Sequence, residues 1–418
     1  MSLCVLALVQ ARHKASRGEC ALLKWRPQVE ALARGEMIYG RVEGGTREGF
    51  PTLPTTALAL RPFLSLGDLG GALTWAVLKV ALAWWMIVAT ARMAAGSVRA
   101  FPPWALVALV ALSARVLLSD IAHGNINIPV AALVVATGVQ WQRGHERTAG
   151  LLAALGAVLK ITPALFVFYF AWKRSPRALV FFVFGIALFG FAVPALFLGP
   201  SFTCDLLAGW WRQMVEPYAS GAALSVVQTE HINQSMLGVL ARWLTDSTAI
   251  RARAPLFPED VSIHVASLSR EALRAVLLVA SVALLGGTAW CARTPRELRR
   301  SAATLGEISL VALAMLFLSE RSWKQHYVVL VLPLAFLVHT LATRGLRESS
   351  GRGAALALGA STLLHGLSGS GVLGARASDY AEAYGAWFVG ALALYIACAF
   401  VLRSEPRGGA LLETSTTV

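Results

Sequence analysis

The sequence predicts an all-α, polytopic integral membrane protein, and three observations carry that expectation. Of 418 residues, 56% are hydrophobic and only 14% are charged, against roughly 25% charged in a soluble globular chain. Mean hydropathy is +0.62. The remaining charges gather in short basic clusters between long apolar runs, as happens when charge is excluded from hydrocarbon and Lys and Arg stay on the cytoplasmic side. The net charge of +14 is thus a positive-inside bias rather than a nucleic-acid surface, and no nucleic-acid partner is expected.

A hydrocarbon core of about 30 Å calls for about 20 apolar residues per helix. Segments that meet or approach this are 70–92, 102–118, 127–141, 177–198, 271–291, 302–318, 325–342, 353–369 and 385–402. Basic connectors separate them: Arg92 to Arg99, Arg143 to Arg147, Lys173 to Arg177, Arg293 to Arg300, Arg344 to Arg352 and Arg403 to Arg407. Placing these connectors in the cytoplasm predicts about ten transmembrane helices in a single domain over 1–418, with the C-terminus inside. Residues 2–10 are apolar but too few to span, and Arg12, His13 and Lys14 follow at once. They read as the outer end of a first helix whose beginning lies outside this chain. Long stretches at 12–69 and 199–270 fall on the outer face, where their Pro, Trp and scattered apolar residues predict interfacial helices and turns.

Residues 149–172 run between two basic loops and carry Lys160-Ile161-Thr162-Pro163 at their centre. Proline removes a helical hydrogen bond, so the segment is either a kinked span or a re-entrant hairpin of two half-length helices. Only the hairpin keeps both basic loops inside, and broken backbone at that depth survives only when buried in protein or lining a cavity.

The five cysteines form no CxxC pair, which excludes zinc-ribbon and disulfide-scaffold classes. No Walker P-loop, GxGxxG or HExxH occurs, and no Asp-x-Asp pair is available to hold a metal on a nucleotide sugar. What remains are polar clusters at outer helix ends: Asp120 to Asn127, Gln228 to Ser235, and Ser319 to His326. Amides and Trp suit sugar hydroxyls and faces, while Arg, Lys and His suit phosphate.

These clusters, in this order, resemble the family-87 glycosyltransferases of the GT-C class, which include polyprenyl-phosphate-mannose-dependent mannosyltransferases. The family's Gly-Gln-x-Asn entry to an early helix is matched by Gly124-Asn125-Ile126-Asn127, and its Lys-Pro-type element by Lys160 to Pro163. Its Asn-Gln-Ser is matched by Asn233-Gln234-Ser235, and its Ser-Trp-x-His-His by Ser322-Trp323-Lys324-Gln325-His326. The likeness runs from about residue 24 to about residue 340. Asn125 stands where Gln is usual, and Gln325 where the first His is usual. The family's base, normally Asp, precedes a stretch here matched by Val29 to Tyr39, yet no Asp occurs before Asp68. By spacing the nearest carboxylate is Glu19, with Glu30, Glu36, Glu43 and Glu48 as weaker rivals.

The resemblance implies a GT-C-like membrane enzyme that moves a hexose, mannose among the candidates, from a polyprenyl monophosphate to a glycolipid or glycan acceptor on the outer face of the cell's cytoplasmic (inner) membrane. It implies Glu19 as general base, and a donor site drawn from Arg115, Asn125, Asn127, Lys160, Asn233, Gln234, Arg321, Trp323, Lys324 and His326. No metal or cofactor is expected, the lipid-linked sugar being the donor substrate, and membrane lipids are the other partners. Plainer roles compete at each position. Arg115 and Lys79 can snorkel to headgroups, snorkelling being the expectation for Lys79. Asn125 and Asn127 can cap a helix, Lys160 can pair with an internal carboxylate, and Arg321, Trp323 and Lys324 can form an interfacial belt. The alternative functions are a transporter or lipid-carrier flippase using Lys160 and the broken helix, and an inactive glycolipid-binding relative.

Overall fold

The structure, a computed structural model, describes residues 2–40, 50–219 and 228–404. Glu43 and Glu48 lie outside the described residues. The apolar runs are helical because a bilayer offers no water to backbone N–H and C=O groups, which a helix satisfies internally. In chain order, α1 is Ser2–Ser16, α2 Arg26–Ala33, α3 Pro54–Leu64 and α4 Asp68–Ala95. Next come α5 (Pro103–His123), α6 (Asn127–Arg143), α7 (Glu146–Leu159) and α8 (Phe166–Trp172). A long helix α9 (Pro176–Leu198) is followed by α10 (Pro200–Met214) and α11 (Met236–Leu244). The last third holds α12 (Arg270–Cys291), α13 (Ala302–Leu318), α14 (Lys324–Arg344), α15 (Ser349–Leu367), α16 (Ser370–Ala383) and α17 (Ala386–Ser404). Among the described residues, extended pairing is confined to two isolated bridges, Ile250 with Val261 and Arg253 with Phe257.

Six helices (α4, α5, α9, α12, α14, α17) are long and apolar enough to cross a membrane, or seven crossings if the bent pair α15–α16 is one span. The expected count of about ten crossings is not reached by length among the described residues, for local reasons. Helices α6 and α13 have 17 residues each. Residues 303–317 of α13 are buried throughout, so this helix is apolar all round and serves as the core pillar. Gly306 lets α14 close on it, since a Cβ there would lie 2.7 Å from Phe336 Cζ. Helices α9 and α12 instead present Val180, Val183, Leu278 and Val282 outward. The stretch 370–384 is largely helix α16, bent 86° away from α15 with Val372 and Leu373 exposed. The outer stretches carry the short helices α2, α3, α10 and α11, as their composition predicts.

Residues 149–172 form the re-entrant hairpin. Helix α7 ends at Leu159, Lys160 is extended at φ −159° and ψ 125°, and a 3-10 turn at Thr162–Leu165 starts the return as α8. Helices α7 and α9 run parallel. Gly150 faces Ala178, Gly185 faces Ala154 and Gly190 faces Val158, all close enough that a Cβ on each glycine would touch its partner. Two parallel helices that both start inside require the intervening chain to come back. Glu146 and Ser175, at the two feet, join through Ser175 Oγ donating to Glu146 Oε2 at 2.8 Å. Arg296 and Arg299 from the α12–α13 connector clasp the same carboxylate, Arg299 at 3.0 Å. Beside them Lys173 pairs with Glu307 at 2.7 Å, and Gln142 Nε2 donates to the carbonyls of Met93 at 2.9 Å and Ser301 at 3.1 Å. The basic connectors therefore share one end of the bundle, as the positive-inside bias requires. Cysteines replacing Arg147 and Arg177 are expected to react with a membrane-impermeant maleimide from the same side of sealed vesicles. Labelling from opposite sides would restore the kinked span.

Candidate functional site

At the other end of the bundle the hairpin tip borders a small, half-open recess. Its walls are the start of α6, the break between α7 and α8, and the end of α13 with the turn that follows. Apolar side chains such as Val134 and Leu316 form its base, and Asn127, Lys160, Thr162, Ser319, Ser322 and His326 supply its polar groups. Three segments far apart in sequence thus converge because the hairpin tip stops at the depth where α13 ends.

A row of buried polar groups leads to Lys160. Helix α5 closes at Gly124, whose φ of 72° and whose contact with Cys20 (a Cβ would sit 2.3 Å from Sγ) both demand glycine. That tight turn returns the chain so that Asn127 begins α6 beside Asp120. Asp120 and Lys79, neither exposed at all, form an ion pair at 2.8 Å, and Lys79 also donates to the Asp120 carbonyl. Asn127 Nδ2 donates to Asp120 Oδ1 at 2.9 Å, and Lys160 Nζ donates to Asn127 Oδ1 at 2.8 Å. Lys79 therefore does not snorkel to headgroups; a lone cation and a lone carboxylate on neighbouring apolar helices find each other because neither is stable alone in low dielectric. Among the described residues, no carboxylate lies within ion-pair distance of Lys160.

His326 stacks on Trp323 with ring centroids 6.2 Å apart and planes 4° from parallel. Its Nδ1 lies 3.2 Å from the Trp323 amide and 2.9 Å from the Arg321 carbonyl, which leaves Nε2 as the ring nitrogen for a ligand. The indole Nε1 of Trp323 is buried with no hydrogen-bond partner.

Other sequence-selected residues lie behind or beside this recess. Asn233 is fully buried, its Nδ2 donating to the carbonyls of Gln228 and Glu320 at 2.9 and 3.0 Å and its Oδ1 accepting from Ser235 and Ser322 amides at 3.1 and 3.0 Å. Gln234 Nε2 donates to the carbonyls of His231 and Glu382, and its Oε1 accepts the Trp387 amide at 3.2 Å. Both amides are taken up by backbone partners and brace the segment behind the recess. Lys324 is engaged by buried Glu382 at 2.5 Å. Arg115 is half-buried over Trp387, 4.9 Å from the ring centroid, away from the recess lining. Arg321 is exposed beside Glu320 at 3.6 Å, and Asn125 accepts the Ile126 amide at 2.8 Å. Glu19 is exposed at the outer rim, next to the Cys20 that packs on Gly124, and is not among the recess-lining groups. Of its rivals, Glu30 pairs with Arg26 at 3.3 Å and Glu36 with Arg34 at 2.7 Å.

The profile of glycosyltransferase family 87 matches residues 53–319, more than half of the chain and all of the recess except Ser322, His326 and Val329. The chain belongs to glycosyltransferase family 87. A polyprenol-phosphate-mannose-dependent alpha-(1-2)-phosphatidylinositol mannoside mannosyltransferase from Mycobacterium tuberculosis is 30% identical over 226 residues, 54% of this chain and 44% of that protein. A protein of the same name from Mycolicibacterium smegmatis is 27% identical over 340 residues, 77% of this chain and 68% of that protein. The chain thus spans less than half the length of the M. tuberculosis relative it matches. No solved structure matches.

In this family-87 chain the sequence marks Asp120 and Thr162 only as members of polar segments, and it does not mark Arg242. Asp120 was legible as the lone acid in an apolar helix. Arg242 was not, because it sits in a short outer helix where an arginine usually meets water. It is fully buried, donating from Nε to Ala383 O at 2.9 Å and from Nη1 to Asn233 O at 2.7 Å and Glu230 O at 3.0 Å. Burial pushes its guanidinium down to about 10, opposed by Tyr327 and Glu382, so it stays charged at neutral pH. It ties the 229–233 turn to the end of α16 and through Asn233 to Ser322. Arg242→Met is expected to destabilise the protein by about 3 kcal/mol, since it strands several buried carbonyls at once. A thermal melt in detergent reads this as a lowered Tm.

Proposed function

We propose that the chain is a multi-pass glycosyltransferase of the cell's cytoplasmic (inner) membrane that takes a hexose from a polyprenyl monophosphate at the outer leaflet and passes it to a lipid-linked acceptor. The observation that carries this is Lys160, a recess cation with no carboxylate partner among the described residues, sharing its cavity with His326. A cation held at that depth favours an anionic ligand, and a sugar phosphate supplies one. The names of the two relatives support mannose as the sugar and a phosphatidylinositol mannoside as the kind of acceptor.

In the proposed reaction an acceptor hydroxyl oxygen attacks the anomeric carbon and the carbon–oxygen bond to phosphate breaks. Polyprenyl monophosphate leaves with the bonding electron pair, and the hydroxyl proton passes to a carboxylate, for which Glu19 at the outer rim is the candidate. Displacement in one step inverts the anomeric configuration. The Lys160 ammonium offsets the charge that develops on the departing phosphate, His326 with Nδ1 accepting the Trp323 amide donates to it from Nε2, and Thr162 is the candidate for a sugar hydroxyl.

Membranes expressing the chain, given radiolabelled polyprenyl-phosphate mannose, are expected to transfer label to a new glycolipid or glycan. Lys160→Met and His326→Ala each lower the rate by about 100-fold, and Glu19→Gln by a factor on the order of a hundred or more. Transfer undiminished in Lys160→Met would remove the recess as the donor site, and transfer undiminished in Glu19→Gln would move the base elsewhere.

A further inference from the structure

The recess lysine is flanked by a second lysine that no ligand can reach. Lys79 is wholly buried, and its ammonium contacts the carboxylate and the carbonyl of Asp120. Asp120 is separated from Lys160 by a single side-chain amide: Lys160 Nζ to Asn127 Oδ1 is 2.8 Å, and Asn127 Nδ2 to Asp120 Oδ1 is 2.9 Å. The Ile128 amide donates to the remaining oxygen, Oδ2, at 3.3 Å. Every hydrogen-bonding direction in the row is thereby determined. Asp120 accepts only, so Asn127 must present Nδ2 to it and Oδ1 to Lys160.

We propose that Lys79 is a positioning residue that keeps Lys160 available to an anion by neutralising Asp120. Two charges this close in a low-dielectric interior interact strongly, and a carboxylate held one amide away from an ammonium is the counter-ion that ammonium takes by default. With Lys79 in place, Asp120 is already compensated. It can orient Asn127 without cancelling Lys160, and the row ends at the recess with a net positive charge. Without Lys79, Asp120 and Lys160 compensate each other across Asn127, and an incoming phosphate meets a neutral site. The fully buried Lys79–Asp120 pair, neither member of which lines the recess, thus acts on the ligand through Asn127 and Lys160. The inference rests on the proposal that the recess receives the donor's phosphate.

The test is equilibrium binding of a radiolabelled short-chain polyprenyl monophosphate to the purified full chain in detergent, with a thermal melt of every variant. Lys79→Gln keeps hydrogen-bond donors toward Asp120 and removes only the charge. It is expected to weaken binding about tenfold or more, as loss of a desolvated charge does at other sites. Lys79→Gln/Asp120→Asn, which removes both charges, is expected to bind about tenfold more tightly than Lys79→Gln. A folded Lys79→Gln that binds like the unaltered chain overturns the inference. So does a double variant whose Tm recovers while its affinity stays weak, since that is the signature of a purely structural pair. Lys160→Met separates the two proposals. If it too binds like the unaltered chain, the recess is not the phosphate site. If it binds weakly while Lys79→Gln does not, only the role of Lys79 falls. Should Lys79→Gln fail to fold, Asn127→Leu cuts the link and leaves the ion pair intact. Weakened binding by that folded variant supports the relay, and unaltered binding overturns it.

Discussion

A charged group held among packed helices has lost its water, and in this protein that loss organises the outer half of the bundle. Asp120 and Lys79 are each wholly buried and stable only together. Their pairing sets the spacing of α4 and α5, the Gly124 turn brings Asn127 onto the carboxylate, and Asn127 in turn holds Lys160. The hairpin tip is anchored by that last bond. A backbone break at Lys160 would expose unpaired peptide groups if it faced lipid; instead it faces a recess and is fastened from one side by the amide. The irregular backbone and the functional cation are consequences of one arrangement.

The inner end solves the same problem in the opposite sense. There Glu146 is the buried charge, and Ser175, Arg296 and Arg299 converge on it from two connectors. Glu307 does likewise for Lys173, with the Tyr169 hydroxyl donating to it at 2.9 Å. These contacts pin both feet of the hairpin at the same end of the bundle. Rigid feet suit a transferase working from one side better than a carrier whose site must open to both. The outer wall is fastened separately, by Asn233, Gln234 and Arg242, whose donors are taken up almost entirely by main-chain carbonyls. A recess with hydrogen-bonded walls and, among the described residues, a lining lysine without a carboxylate partner is preorganised for an anion, which spares the reorganisation that solvent would require.

Helices were legible at once, because long apolar runs admit no other backbone solution in lipid. That the basic connectors share one end was legible from their Lys and Arg content. So were the hairpin, as one of two alternatives, and Asn127, Lys160 and His326 as polar groups that the fold brings to one recess. The span count was less so. Length rules assume that each apolar segment crosses alone, whereas α13 is short because it ends at the recess and α16 turns aside by 86°. The backbone partners of Asn233 and Gln234 were not legible, because a polar side chain near a site looks the same in sequence whether it faces a ligand or a carbonyl.

The sequence by itself determined the solvent of this protein, its helices, the gathering of its basic connectors at one end, and its membership of a glycosyltransferase family, because these depend on composition, periodicity and short motifs. Only the tertiary structure decided which charges are spent on one another. Lys79 and Lys160 are alike in sequence, each a lone lysine in an apolar segment. One is silenced by Asp120 and the other opens to a cavity. The difference is a matter of a few ångströms between helices that are distant in the chain, and electrostatic energy depends on that separation rather than on residue type.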